Sequence, residues 1–141
     1  GSSSNIRRRG IALRSRGMRV HHIAIQVFDL ERVRDFYVQV LGLRELGRPR
    51  DGSVWLDCAG SVLMLERVDG VAAEEPFRSE RLGPHLLALA IGADEREAWE
   101  RRLSGHHTPI VERTAHTLYV RDPEGNRVGL SSLDVAKFFA Q

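Results

Sequence analysis

The chain reads as an α+β protein made of two βαβββ units that pair into a curved half-barrel sheet with a concave cleft. Three observations predict it. The strand-like segments Val20–Val27 and His85–Ile91 each carry a His, and each runs into an acidic helix start, Asp29-Leu30 and Asp94-Glu95. His22 and His85 lie 63 residues apart in a chain of 141, so the halves are matched in length as well as in order. Three short β-like segments follow each helical pattern, divided by turn signals. One such unit leaves a sheet edge open. Two can pair edge to edge, with alternate residues of both lining the concave face.

Arg19–Val27 alternates in apolar character and predicts a strand. Asp29 suits an N-cap. The helix after it places Leu30, Val33, Phe36, Tyr37, Val40 and Leu41 on its inner face, and Gly42 ends it. Strands follow at Arg44–Pro49, Ser53–Cys58 and Ser61–Val68, separated by Asp51-Gly52 and Ala59-Gly60. The second unit repeats the order. His85–Ile91 is a strand, Asp94–Leu103 a helix with Ala98, Trp99 and Leu103 inward, and Pro109–Arg113, His116–Arg121 and Arg127–Ser131 are strands. A short helix, Leu133–Phe139, closes the chain. Residues 18–141 read as a single domain, with units at 19–68 and 84–132 joined by a linker at 69–83.

Hydrophobic residues make up 42% of the chain, enough to bury a core. No apolar run approaches the roughly 20 residues of a membrane-spanning helix. Gly1-Ser2-Ser3-Ser4 resembles an expression scar and Met18 a natural first residue, so residues 1–17 read as a tag or leader arm. That arm holds Arg7, Arg8, Arg9, Arg14 and Arg16. Without these five, 16 of the 21 basic residues face 19 acidic ones, a net charge of −3. The pI of 9.2 therefore belongs mostly to the leader. The remaining charges are mixed rather than striped, which argues against a nucleic-acid partner. A lone cysteine, Cys58, excludes an internal disulfide and fits a reducing cytoplasm. Its apolar surroundings predict an inert thiol. Asp122-Pro123-Glu124-Gly125-Asn126 is a turn by its chemistry and receives no catalytic role.

The pattern His22…Asp29-Leu30…Phe36-Tyr37…Leu41-Gly42, with Asp122-Pro123-Glu124-Gly125-Asn126 near the end, resembles the vicinal oxygen chelate superfamily. That superfamily includes glyoxalase I, fosfomycin-resistance transferases, extradiol dioxygenases and bleomycin-resistance proteins. The resemblance covers Arg19 to about Ser132. It implies metal ligands on the first strand of each unit, here His22 and His85, and on the last strand of each, here Met64 and Gly129. Metal-dependent members carry Glu at the Gly129 position. Two imidazoles without a carboxylate hold a divalent ion weakly, since metal sites generally want three protein ligands. No cofactor is therefore predicted, and His22 and His85 leave room for no more than a weakly bound divalent metal. Glu66 and Asp57 are the candidate replacement carboxylates, although Glu66 lies roughly 6.6 Å along the strand from Met64.

Alternation names the rest of the cleft: Ala24 and Gln26 with His22, Val62 and Glu66 with Met64, Leu87 and Leu89 with His85, and Arg127 and Ser131 with Gly129. Trp55 and Asp57 share a face, as do Thr117, Tyr119 and Arg121. Two aromatic walls among aliphatic surfaces suit a small, partly aromatic molecule. The expected function is small-molecule binding of the bleomycin-resistance type by a homodimer. The alternative is a metal-dependent lyase, transferase or dioxygenase with a non-standard ligand. A metal-free acid–base enzyme using His22 or His85 with Glu66 is a third reading.

Overall fold

The computed structural model describes residues 18–69 and 84–140. The expected leader and the linker beyond Asp69 lie outside them. Each half forms a four-stranded sheet. In the first unit β1 (His22–Val27) runs parallel to β4 (Ser61–Arg67), then come β3 (Val54–Cys58) and β2 (Arg44–Gly47), both antiparallel to their neighbours. In the second, β5 (Leu87–Ala90) runs parallel to β8 (Arg127–Ser131), followed by β7 (Thr117–Arg121) and the short β6 (Glu112–Arg113). The two sheets have the same order of strands. Each keeps its own hydrogen-bond ladder: β1 pairs only with β4 and β5 only with β8 among the described residues. The two βαβββ units expected from the sequence are present, each as its own four-stranded sheet with its first strand at an edge.

Asp29 caps the first helix by accepting a hydrogen bond from the Arg32 amide, as its side-chain chemistry suggests. The helix is regular only over α1 (Leu30–Asp35) and widens into a π-helical turn, Phe36–Val40. The two rings meet edge to face at 5.2 Å, so the consecutive residues Phe36 and Tyr37 are both buried. In the second unit a 3₁₀ turn, Ala93–Glu95, leads into α2 (Arg96–Gly105). Leu103 is fully buried and Trp99 packs at the core margin, but Ala98 is exposed, contrary to expectation. Most strands are shorter at their ends than alternation suggested; β6 keeps only Glu112–Arg113, although the Val111 amide just before it still donates to the Tyr119 carbonyl at 2.8 Å. The closing helix is α3, Val135–Phe139. None of the described helices is long and apolar enough to cross a membrane.

One core serves both units. Val27, Val54, Leu56, Leu63 and Leu65 from the first sheet join Leu118, Val120, Val128 and Leu130 from the second, with Val33, Tyr37 and Leu103 from the helices. The segment between β7 and β8 ties the units together. Asp122 is buried and accepts the Tyr37 hydroxyl at 2.9 Å. Across the same junction, the Glu124 carboxylate accepts the backbone N–H groups of Phe28 at 2.9 Å and Asp29 at 2.7 Å. Arg102 reaches back to the Val40 carbonyl at 2.7 Å.

Candidate functional site on the sheet faces

Strand register decides which residues share a face. In the first sheet His22, Ala24 and Gln26 stand beside Val62, Met64 and Glu66. Trp55 and Asp57 stand beside Met64 and Val62. The opposite face holds the buried Leu63, Leu65, Val54 and Leu56. The expected grouping of His22, Ala24, Gln26, Trp55, Asp57, Met64 and Glu66 is therefore present, and Trp55 is not a core residue. His22, Ala24 and Gln26 are exposed and Met64 and Glu66 half-buried. Trp55 is 37% exposed, and its Nε1 donates to Ser53 Oγ at 2.9 Å, which fixes the indole. Asp57 is occupied: it accepts from Arg44 at 3.3 Å and from the Ala59 amide at 3.1 Å, closing the β3–β4 turn.

The second sheet brings Thr117, Tyr119, Gly129 and Ser131 to one face, as alternation requires. Leu87 and Leu89 do not join them. They align with Val128 and Leu130 on the core side, and Ala88 aligns with Gly129. The first-strand residue on the Gly129 face is thus Leu86, not His85. A Cβ built on Gly129 would lie 3.5 Å from Leu86 Cδ1, 3.2 Å from Thr117 Cγ2 and 3.5 Å from Tyr119 Cε1. Thr117 is buried and donates to Ser131 at 2.9 Å. His85 precedes β5 and accepts a hydrogen bond from Arg127 at 3.1 Å. The Arg127 guanidinium lies 4.2 Å from the centroid of the Tyr119 ring and is held by Glu112 at 2.7 Å. The Tyr119 π face is therefore already taken by a cation.

These donors do not fit the metal that the resemblance implies. The second unit offers Leu86 and Gly129 where a His and a Glu would be needed, both packed against apolar or aromatic atoms. The first unit offers His22, whose Nδ1 hydrogen-bonds with that of His21 at 3.0 Å. Among the described residues no three His, Cys, Asp or Glu side chains gather as a metal site requires. Cys58 is a poor nucleophile: burial pushes its thiol up, and the Asp57 charge adds to the effect. Burial likewise raises the Tyr37 phenol well above its ordinary range, with the Asp122 charge and hydrogen bond adding to it.

A sheet order repeated in both halves, with one open face in each, is the architecture shared by the glyoxalase class of proteins. The sequence model of the Glyoxalase/Bleomycin resistance protein/Dioxygenase superfamily matches residues 19–130, and the chain belongs to that superfamily. Solved structures share the fold. A glyoxalase/dioxygenase from Nostoc punctiforme superposes with a TM-score of 0.71 at 21% identity, covering 86% of this chain and 94% of that one. The fosfomycin resistance protein FosX from Listeria monocytogenes gives 0.69 at 13% identity, covering 87% and 97%. A lactoylglutathione lyase from Agrobacterium tumefaciens gives 0.63 at 22% identity, covering 81% and 92%. No curated protein matches the chain.

Sequence reading missed three features. The displacement of His85 appears only in the ladders: Ala24 aligns with Met64 and Ala88 with Gly129, so one residue separates His22 from its Ala and two separate His85 from its own. The cation over Tyr119 left no local sequence signal, since Glu112 and Arg127 come from different strands. The junction formed by Asp122 and Glu124 was read as a turn only.

Proposed function

We propose that this chain binds a small, largely apolar organic molecule on the open faces of its sheets, without a metal held by three of its side chains. The observation that carries this reading is the Trp55 indole, held by Ser53 on an open face beside Met64 and Ala24. Aromatic contacts of this kind are worth about 0.5–1.5 kcal/mol beyond their buried area. The second sheet supports the reading with Leu86, Ala88 and Gly129, a surface that offers shape rather than ligating atoms. A planar ligand stacks on Trp55 rather than on Tyr119, whose ring Arg127 covers. A second copy of the chain encloses the ligand, since β1 and β5 each stand at the edge of a sheet. The single cysteine fits a reducing cytoplasm as the place of action.

The test is a thermal-shift screen of planar, weakly charged compounds, followed by titration of the hits against Trp55→Ala and Tyr119→Ala. A ligand at a hundred times its dissociation constant adds about 2.7 kcal/mol of stability, well within reach of the assay. Hits should lose at least fivefold in affinity in Trp55→Ala and less in Tyr119→Ala. Hits that bind both variants as tightly as the parent protein sink the proposal.

A further inference from the structure

A cavity open to solvent, with Trp55 absent from its lining, lies where the π turn after α1 meets the loop after α2 and the β7–β8 turn. Its volume is about 590 Å³, and its polar wall includes Arg32, Gln39, His106, His107 and Arg121. It shares only Arg121, at the end of β7, with the residues expected in the cleft. Two carboxylates also line it, Asp35 and Asp122, and both are committed elsewhere. Asp35 is held by Arg34 at 2.9 Å. Asp122 Oδ1 accepts from the Glu124 and Asn126 amides at 3.0 and 2.9 Å. Its Oδ2 accepts from Tyr37 and from the Asn126 side chain at 2.9 and 2.8 Å.

Arg121 is left over. Its Nη1 is buried without a hydrogen-bond partner, the one such side-chain atom among the described residues. A buried guanidinium nitrogen without an acceptor is costly, and an anion admitted by a shift of the side chains around it would supply one and recover that cost. The His107 backbone, on the same lining, is rigidly placed. His107 holds a left-handed backbone, φ 55°, which a non-glycine residue adopts only where its surroundings impose it. Its amide and that of Thr108 are tied back to the last turn of α2, at 3.0 and 2.9 Å. Two guanidinium groups and two imidazoles lining one cavity suit the planar, multi-acceptor geometry of a carboxylate or phosphate group.

We infer that this cavity is an anion site, taking the carboxylate or phosphate group of a small molecule between Arg121, Arg32 and the His106–His107 pair. The inference is independent of ligand binding at Trp55.

The experiment titrates the full chain with inorganic phosphate and with acetate, at ionic strength held constant with chloride. The imidazole resonances are followed by NMR alongside the melting temperature. One or both anions should shift the His106 and His107 signals saturably, leave those of His22 unmoved, and raise the melting temperature. Whichever anion binds more tightly identifies the group. Arg121→Gln should weaken binding at least tenfold and Arg121→Lys less. If Arg121→Gln does not fold, Arg32→Gln serves in its place, with the same expected loss. The inference is overturned if neither anion acts beyond the chloride control. It is equally overturned if the shifts appear at His22 instead, or if the substituted protein binds as the parent does.

Discussion

Replacing Tyr37 by Phe tests the junction that holds the two units, and with them both sheet faces, in place. The ring stays and only the hydroxyl goes, so the cost is that of one hydrogen bond to a buried carboxylate. Bonds to charged groups contribute about 1.5–3 kcal/mol. Asp122 keeps three other donors, from Glu124 and Asn126, which places the loss near the lower end, at about 1.5–2 kcal/mol. For a chain of this length that corresponds to a fall in melting temperature of roughly 5–7 °C. In urea the midpoint should fall with the slope unchanged. The pH dependence gives a second readout. The folded protein holds the Tyr37 proton more tightly than the unfolded chain does. Its contribution is therefore complete below the ordinary tyrosine value of about 10 and is lost as the pH climbs past it. Tyr37→Phe should lack that part of the alkaline loss. A destabilisation under about 0.5 kcal/mol, with an alkaline profile identical to the parent's, would refute the reasoning.

Gly129→Glu should not create a metal site, because Leu86 rather than His85 stands on that face; a cobalt(II) titration showing no gain over the parent protein is the expected result. The same change should destabilise the chain by about 1–3 kcal/mol, since the new Cβ falls 3.2 Å from Thr117 Cγ2, and denaturant unfolding reads it. Sedimentation at micromolar concentration should show a dimer; a monomer throughout would remove the enclosure proposed for the ligand.

Most of the fold could be read from the chain because its signals are local and repeated. Asp29 caps a helix, Gly42 ends one with φ 80°, and alternation sorts Trp55 and Met64 from Leu56 and Leu63. The site was less legible where it depends on register. Reading His85 as the partner of His22 moved a whole strand to the wrong face, since side chains alternate with a period of two. The alignment of Ala88 with Gly129 decides the matter, and only a ladder shows it. Long-range electrostatics escaped altogether. Glu124 bonds amides 95 and 96 residues earlier in the chain, and nothing in Asp122-Pro123-Glu124-Gly125-Asn126 announces which backbone it will meet.

The central claim is that this chain keeps the glyoxalase architecture while its described residues bring no three donors together as a metal site, and elemental analysis tests it most directly. The protein should be purified without chelator, alongside His22→Ala, and assayed for zinc, iron, manganese, nickel and cobalt. The account predicts far less than one ion per chain, with no difference between the two proteins. One equivalent of a transition metal per chain in the parent, lost in His22→Ala, would contradict it.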